Sequence, residues 1–402
     1  MISSNARFWI WITIVLGYNN NKINRLYELY PDIAEFCAGG ERERRFCGIF
    51  TPAELEKFRN IKIHEADRIM LRCEQLGYSI ISIDDPLYPD CLRNIYASPA
   101  VLYVSGKLPD IDNILSVGIV GTRRASDYGT RNAYKFAYAL SKCGVITVSG
   151  GALGVDCASH RGSLAAKGVT VCVLGCGINY DYLPQNKDMR DSITKDGAVI
   201  SEYPPDTPPL GYQFPARNRL IAALSDGVLI IESGIKSGSL ITANYALEMG
   251  KELFALLGNN SPQNEGSNAR IKEGTAVPVT DFMDILVAFD NRYYDTEVRD
   301  IDNISLADIE AIPVKGGKPS KTLPEKTRQA EPEPAPEPVH KRDLKLKGDL
   351  KKVYEDLSAE PVHIDAIAAR LMLPVFRVSV ALTQLQIMGL VGVEPGRKFF
   401  LK

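Results

Sequence analysis

The chain of 402 residues is long enough for two or three domains, and its hydrophobic content of 45% is typical of globular proteins. Its 47 Lys and Arg residues against 49 Asp and Glu give a net charge of −2, which excludes a protein that is basic over its whole surface. A nucleic-acid site would therefore need positive charge gathered on one face. The eight cysteines include no Cys-x-x-Cys pair, so we expect reduced thiols, no structural zinc and a cytoplasmic location.

Residues 1–84 are predicted to form a small helical domain. Its apolar run FWIWITIVLG (8–17) is too short to span a bilayer, which takes about 20 apolar residues. The helical spacing of apolar residues continues beyond the run, so we expect a buried first helix and no membrane association. The predicted helices are 6–17, 21–30, 51–58 and 63–76.

Residues 85–292 have the pattern of a parallel sheet, with apolar runs that alternate with helical stretches. Each run is rich in Val, Ile and Leu and ends in Gly, Ser or an acid. Such strands indicate an α/β domain with a Rossmann-like sheet covered on both faces. Ligands of these sheets bind beyond the carboxyl ends of the strands. The predicted strands are 114–121, 145–151, 169–175, 198–203, 227–233 and 252–258, preceded by two short extended runs within 79–105.

The C-terminal part of the chain changes character twice. Residues 293–343 are charged and Pro-rich, which predicts a disordered linker. Residues 344–402 predict three helices, at 347–357, 363–370 and 375–388, and two strands around Glu394–Gly396, which is a winged-helix arrangement. The third helix has one arginine and no lysine, so protein interaction and duplex binding both remain open for this domain.

The ends of the first two predicted sheet strands are candidate phosphate sites. A glycine turn lets the backbone approach a ligand, and its consecutive N–H groups can bind an anion that two following arginines would also attract. The alternative is a pair of exposed loop arginines. A dinucleotide site is disfavoured, because there is no G-x-G-x-x-G and no acid where the second strand ends. The candidate contacts are Gly121, Thr122, Arg123, Arg124, Gly150 and Gly151.

The stretch FPARNR (214–219) is the sharpest local signal. Pro215 fits the first position of a helix, which would place both arginines in the first turn, where a cation is disfavoured unless an anion binds there. An aromatic ring just before the helix would offer a stacking face to a base. The alternative is internal pairing of the arginines with Glu202 or Asp226. The candidate contacts are Phe214, Arg217, Asn218 and Arg219.

A third candidate is the start of the helix LITANYALEMG. Hydroxyls and a glycine there would cap the helix and leave N–H groups for a phosphate, although plain capping also explains the serines. Together with the other two strand ends, this segment predicts a groove rather than a point site. The candidate contacts are Lys236, Ser237, Gly238 and Ser239.

Catalysis finds little support in the sequence. His160 follows Asp156 by one helical turn and is expected to pack or orient, and Glu202 is the one acid that stands at a strand end as a candidate. Paired carboxylates, a nucleophile elbow and a metal-ligand cluster are absent from the sequence. We therefore expect a binding protein without a cofactor or metal and not an enzyme.

Several motifs in register resemble the DNA-processing protein A family, also called DprA or Smf. They are GIVGTRRASDYGT, SGGALGVDCASHRGSL, VLGCGINYDYLP, ISEYPP, FPARNRLIAALSD, SGSLITANYALEMGKELFALLGN and GSNARIKEGTA, and they cover roughly 80–290. The flanking parts fit the family too, with a sterile-alpha-motif-like helical domain before them and a winged helix after.

The resemblance implies an extended Rossmann fold that binds single-stranded DNA without base specificity. It also implies a homodimer that loads the RecA recombinase during natural transformation. By motif, Arg123 matches the arginine of the family's first turn, and Phe214, Arg217 and Arg219 match its FPxRNR stretch. Lys187 lies near a basic residue that the family often has after the third strand.

The chain departs from the family pattern in three places. Leu153 stands where an arginine is common, which predicts the loss of one phosphate contact, and Gly258-Asn259 replaces Pro-Gly. Gly17 is followed by YNNNK rather than by the Gly-x-Gly hairpin of DNA-binding helical units. The sequence therefore assigns no DNA contact to the N-terminal domain.

Two other functions are alternatives. Related Rossmann-like enzymes of the lysine-decarboxylase-like group cleave nucleotide N-glycosidic bonds, but their Pro-Gly-Gly-x-Gly-Thr signature reads SGIKSGSLIT here. A transcription regulator would act through the winged helix and would bind duplex DNA with residues 344–402 alone.

Overall fold

The computed structural model describes residues 5–289, 348–358, 361–373, 375–388, 390–394 and 398–401. They form two compact units, and the boundary between the units falls within 290–347. The linker predicted at 293–343 lies outside the described residues.

Six helices open the N-terminal unit. The four predicted ones are confirmed, and two short helices between them were not predicted. Those two carry little apolar periodicity, because only Ile33 and Phe36 are buried in the first and none is buried in the second. The six helices are α1 (Ala6–Leu16), α2 (Lys22–Leu29), α3 (Ile33–Ala38), α4 (Gly40–Phe46), α5 (Pro52–Asn60) and α6 (His64–Leu76).

Helix α1 is the centre of this helical layer. Seven of its eleven residues are buried, and it packs against α3, α5, α6 and the first two strands of the sheet. A tilted cluster of aromatic rings, Phe36, Phe50 and Phe58, fills the space beside it, with ring centroids 5.0 to 6.4 Å apart. Helix α5 begins at a capping box in which Thr51 and Glu54 satisfy each other's backbone N–H groups.

The sheet confirms the Rossmann-like prediction. The described residues give nine strands in the order β1-β2-β6-β5-β4-β3-β7-β8-β9; β2 is antiparallel to β1 and to β6, and the other pairs are parallel. The strands are β1 (Ser79–Ser82), β2 (Val101–Gly106), β3 (Ser116–Val120), β4 (Ile146–Ser149), β5 (Thr170–Leu174), β6 (Ala198–Ser201), β7 (Gly227–Ile230), β8 (Glu252–Leu256) and β9 (Val277–Val279).

Helices cover both faces of the sheet. One face packs against α8, α9 and α14, and the other packs against α11, α12 and the N-terminal helices. Both faces of the central strands are therefore apolar, which explains the continuous Val and Ile runs. The helices are α7 (Asp90–Arg93), α8 (Asp127–Lys142), α9 (Val155–Ala165), α10 (Lys187–Ile193), α11 (Gln213–Ala223), α12 (Ser239–Glu248), α13 (Glu265–Lys272) and α14 (Phe282–Val287), with a 3-10 turn at Pro184–Asn186.

The N-terminal helices and the sheet share one hydrophobic core. Trp9, Ile12 and Phe36 belong to the same buried cluster as Leu102 and Ile200 of the sheet. Strand β1 precedes the domain boundary predicted at residues 84 and 85, so that boundary falls inside the sheet and not at a gap in packing.

The C-terminal unit is a winged helix, as predicted. Its own core includes Val353, Ile367 and Leu385, and its strands pair in the order β10-β12-β11. Strand β10 was not predicted, because two residues carry no detectable period. The elements are α15 (Asp349–Asp356), β10 (Val362–His363), α16 (Ile364–Leu371), α17 (Val375–Ile387), β11 (Val391–Glu394) and β12 (Lys398–Leu401).

All eight cysteines are thiols, and four of them are buried. Among the described residues, no helix is both long and apolar enough to cross a membrane.

The shared core makes a stability prediction. Phe36→Ala is expected to lower the free energy of unfolding by about 3–5 kcal/mol, because it empties a fully buried aromatic site. Both tryptophans of the chain lie in α1, so tryptophan fluorescence in a urea titration reports this core. Phe46→Ala is the matched control: Phe46 is 84% exposed, and its loss should change stability by less than about 0.5 kcal/mol. Equal effects of the two substitutions would contradict the shared core.

Candidate nucleic-acid interface

The chain reverses its direction of travel across the sheet at β3. From β3 it adds β4, β5 and β6 on one side, and it then returns to place β7 on the other side of β3. The loops after β3 and β7 therefore separate at the carboxyl edge and leave a crevice, which is where ligands of open α/β sheets bind.

A cavity of about 490 Å³ occupies this crevice. It is bounded by the turn after β3, the loop after β4, the first turns of α11 and the segment that leads into α12. Its lining residues are Val120, Gly121, Arg123, Ala152, Asp156, Pro209, Gly211, Phe214, Pro215, Arg217, Asn218, Ile221, Ser237, Gly238, Ser239, Ile241 and Thr242. All three of the predicted segments thus contribute to one site.

The turn after β3 is fixed by hydrogen bonds to the backbone and side chain of Glu232. The backbone N–H of Thr122 donates to the Glu232 carbonyl (2.8 Å), and Ser126 donates its N–H and hydroxyl to the Glu232 carboxylate (2.9 and 2.5 Å). Gly121 must be a glycine, because a Cβ there would lie 2.5 Å from Val155 Cγ2. The turn is therefore fixed before any ligand binds.

Arg123 and Phe214 form the rim of the cavity. The Arg123 guanidinium is exposed and lies 5.3 Å from the centroid of the half-buried Phe214 ring. The Tyr182 ring lies 5.2 Å from the same ring, so Phe214 is held between the α11 start and the loop before α10. At such a rim the cation can contact a phosphate while the aromatic face stacks on a base.

Arg217 lies at the cavity floor rather than on its surface. It is buried, and its Nη1 donates to the carbonyls of Gly150 (2.7 Å) and Val173. Burial lowers the pKa of the Arg217 guanidinium, and the nearby Asp156 carboxylate opposes that shift. Burial raises the pKa of Asp156 in turn, against the influence of Arg217. The floor therefore carries both signs of charge.

The prediction that Arg219 contacts the ligand is wrong. Its guanidinium is 3% exposed and pairs with the buried Glu202 carboxylate through two hydrogen bonds (2.6 and 3.1 Å). Its Nε also donates to the Ala97 carbonyl (3.2 Å). Internal pairing of Arg219 with Glu202 was the alternative that the sequence left open. The same pair gives Glu202, the candidate acid at a strand end, a structural role.

The predicted helix start at Pro215 is also wrong. Helix α11 begins at Gln213, so Pro215 is its third residue and both arginines lie in the second turn. Proline is tolerated there because the first four N–H groups of a helix have no intrahelical partner. The argument that two cations crowd the first turn therefore does not hold.

The hydroxyls of Ser233, Ser237 and Ser239, around the start of α12, form hydrogen bonds with one another. The Ser239 hydroxyl donates to Ser233 (2.9 Å) and lies 2.7 Å from the Ser237 hydroxyl, and Gly238 makes no side-chain cap. The Asn218 amide donates to the Gly238 carbonyl (3.1 Å) and thereby joins the starts of α11 and α12. The segment shapes the cavity wall, and Ser237 keeps part of the predicted capping role, because its Oγ accepts the backbone N–H of Ser239, the first residue of α12 (3.3 Å).

Besides Arg219, six predicted contacts do not line the cavity. Gly150 and Gly151 are packing positions, where a Cβ would lie 2.6 Å from the Arg217 guanidinium and from Cys172 Sγ respectively. Lys187 pairs with Asp191 at the exposed start of α10 (2.5 Å). Thr122 belongs to the turn after β3 but does not line the cavity, and Arg124 and Lys236 are exposed beside it.

The sequence did not single out Asp156 or Glu232 as site residues. Both are buried acids that directly follow the end of a parallel strand and its turn. That position was the available signal, because an acid buried at a strand end needs a partner.

His160 is a packing residue, as expected. It is buried, and its Nδ1 lies 2.8 Å from the Thr170 hydroxyl. Burial lowers its pKa to about 3, with a contribution from Arg217, so it is neutral at pH 7. Within the described parts of the chain, no three His, Cys, Asp or Glu side chains are grouped so that they could hold a metal ion.

The fold and the cavity define a Rossmann-like protein with a ligand cavity at its topological switch point. The chain belongs to the DNA recombination-mediator protein A family, whose model matches residues 79–290. The DprA winged helix domain model matches residues 329–397. The resemblance in the motifs is thereby confirmed.

Similar proteins are named protein Smf or DNA processing protein DprA. The chain is 35% identical over 348 residues to protein Smf of Synechocystis, across 81% of each chain. It is 39% identical over 227 residues to the DNA processing protein DprA of Streptococcus pneumoniae, across 56% of this chain and 79% of that one. The X-ray structure of the S. pneumoniae protein superposes with a TM-score of 0.60 at 31% identity, covering 71% of this chain and 98% of that one.

The Arg219–Glu202 pair makes a prediction that separates a structural role from ligand contact. Arg219→Met is expected to lower the free energy of unfolding by about 3–5 kcal/mol, because it leaves a buried carboxylate without its partner. The double variant Glu202→Met/Arg219→Met should recover most of that loss in urea titrations. Arg123→Met is the control and should change stability by less than about 0.5 kcal/mol. An Arg219→Met variant as stable as the parent would contradict the assignment.

His160 makes a pH prediction. The pKa of an unfolded histidine is about 6.5, so below that pH the unfolded chain binds a proton that the folded chain excludes down to about pH 3. The free energy of unfolding should therefore fall by roughly 2 kcal/mol between pH 7 and pH 5 from this group alone. His160→Gln should remove that part of the fall in urea titrations at the two pH values, and parallel pH profiles would contradict the buried neutral imidazole.

Proposed function

We propose that this protein binds single-stranded DNA in the cytoplasm through the switch-point cavity, without base specificity and without turnover. The observation that carries the proposal is the exposed Arg123 guanidinium beside the Phe214 ring at the cavity rim. Membership of a family of DNA-processing proteins supports the choice of DNA as the ligand.

The chemistry of the rim suits a nucleotide without selecting its base. A ring face stacks on any base, and each such contact contributes on the order of 1–3 kcal/mol. The guanidinium of Arg123 can bind the phosphate of the same nucleotide through charge-assisted hydrogen bonds. Since neither contact uses a base edge, binding by the rim is sequence-tolerant.

The position of Phe214 favours single strands over duplexes. The ring is half-buried between Tyr182 and Arg123, within a crevice and not on a flat surface. A base in a duplex would have to leave its stack to reach the ring, at a cost of a few kcal/mol. A single strand avoids most of that cost.

We further propose that the cavity holds its ligand without chemistry. The Glu202 carboxylate is engaged by Arg219, and the Glu232 carboxylate is engaged by Ser126. His160 is buried and neutral. These groups have structural partners, and Asp156 is left as the acid of the cavity floor.

The family resemblance also supports two partners, a second copy of this chain and the RecA recombinase. We propose that a homodimer holds the strand at two cavities and delivers it to RecA. Binding at local cationic sites suits this role, because a chain with a net charge of −2 is repelled from DNA elsewhere.

The proposal predicts a large effect of charge reversal at Arg123. Arg123→Glu should weaken binding of fluorescein-labelled oligo-dT by more than about tenfold in fluorescence anisotropy, because it replaces the rim cation by a group that repels phosphate. The parent should bind more weakly as salt rises from about 50 to about 200 mM, and the variant should show a shallower salt slope.

Lys142→Glu is the matched control. It makes the same charge change at the exposed C-terminal end of α8, away from the carboxyl edge of the sheet, and should leave the affinity within about twofold. Equal affinity of the Arg123→Glu variant and the parent would overturn the proposed site. RecA-dependent ATP hydrolysis on single-stranded DNA should rise with the parent and the control but not with Arg123→Glu.

A further inference from the structure

Three tyrosines at the junction of the N-terminal helices and the sheet have at least part of their rings exposed. Tyr212 is 71% exposed, Tyr96 is 81% exposed and Tyr18 is 36% exposed. We call these three residues the tyrosine seam. An exposed ring that contributes little to a core is a candidate contact for a ligand.

The seam begins at the cavity wall. Tyr212 directly follows Gly211 and stands two residues before Phe214, and both of those residues line the cavity. Electrostatic interaction with Tyr212 adds to the rise in pKa that burial causes in Tyr18 and in Tyr203. Tyr212 is therefore a neighbour of the cavity on one side and of Tyr18 on the other.

The seam continues onto the N-terminal domain. The Tyr18 ring packs on Tyr203, with centroids 4.6 Å apart. The loop after Tyr18 is rich in amides, and the Asn21 side chain donates to the Tyr96 hydroxyl (2.9 Å). Tyr18 and Asn20 also line a small crevice shared with Ser98, two residues beyond Tyr96. The three tyrosines thus belong to one contiguous surface.

The charges of the seam are mostly neutralised. Glu202, which lies beneath Tyr18, is buried with Arg219. Lys22, at the end of the amide loop, pairs with Glu54 at 2.5 Å. A surface of aromatic rings and amides with few unpaired charges suits bases better than phosphates.

We propose that a single strand bound in the cavity continues across the tyrosine seam and stacks successive bases on Tyr212 and Tyr96. This rests on the proposed function and extends the bound strand to the edge of the N-terminal domain, which contributes Tyr18 and the loop whose Asn21 side chain donates to the Tyr96 hydroxyl. The YNNNK loop, in place of a helix-hairpin-helix turn, then has a role, because it holds Tyr18 and Tyr96 at the surface. Along this path the strand would contact Arg123 and Phe214 with one segment and the tyrosine seam with the next segment.

The test compares short and long oligonucleotides on the full-length protein. Tyr212→Ala and Tyr96→Ala should each weaken binding of oligo-dT of about 20 nucleotides by about fivefold to tenfold, because each removes one stacking face. The affinity for an oligo-dT too short to extend beyond the cavity should stay within about twofold. Tyr212→Phe keeps the ring and should bind the long oligonucleotide like the parent.

Phe46→Ala is the matched control, because Phe46 is an exposed aromatic residue outside the seam. It should not change either affinity. A second readout uses oligo-dT with 5-iododeoxyuridine at successive positions, irradiated and mapped by mass spectrometry. Crosslinks at Tyr212 and Tyr96 are expected from positions on one side of the crosslink to Phe214.

The outcomes separate the seam from the cavity. If Arg123→Glu abolishes binding while Tyr212→Ala and Tyr96→Ala bind the long oligonucleotide like the parent, the seam is wrong and the proposed function stands. If Arg123→Glu binds like the parent, the proposed function itself fails. Crosslinks confined to Phe214 would also overturn the seam.

Discussion

The buried guanidinium of Arg217 is the interaction on which the cavity depends. A charge removed from water costs several kcal/mol unless partners replace its hydration. Arg217 finds those partners in the carbonyls of Gly150 and Val173, at the ends of β4 and β5, and in the nearby carboxylate of Asp156. The start of α11 is thereby tied to two strand ends. Gly150 must lack a side chain because the guanidinium occupies that space.

Two arginines of α11 that are separated by one residue, Arg217 and Arg219, have partners on opposite sides of the helix. Residues two apart on a helix point about 200° away from each other, since each residue turns the helix by about 100°. Arg217 therefore reaches the cavity floor, while Arg219 reaches Glu202 and the carbonyl of Ala97 on the side of the N-terminal helices. One short motif joins the ligand site to the rest of the core. A change in how α11 sits would alter both contacts together.

The sequence was sufficient for the strands and for the convergence of their ends. Continuous Val and Ile runs can form only strands or buried helices, and their length and spacing favoured strands. The winged helix followed from three amphipathic helices before a hairpin. The orientation of single side chains was not predicted: Arg217 and Arg219 were both assigned to the ligand, although residues two apart on a helix face nearly opposite ways wherever the helix begins. The sequence could not say which of the two arginines reaches the cavity. Helices α3 and α4 were not predicted, because their few buried residues show no helical periodicity in the sequence.

The shared core of α1 and the sheet has a consequence for synthesis of the chain. The run FWIWITIV leaves the ribosome well before its packing partners in β1 and β2, which are complete only at Gly106. At typical translation rates that interval is roughly 5–20 s. During it, one of the most apolar surfaces of the protein has no native partner to cover it. The pace of translation through β2 therefore sets how long this apolar segment of the nascent chain stays exposed to water.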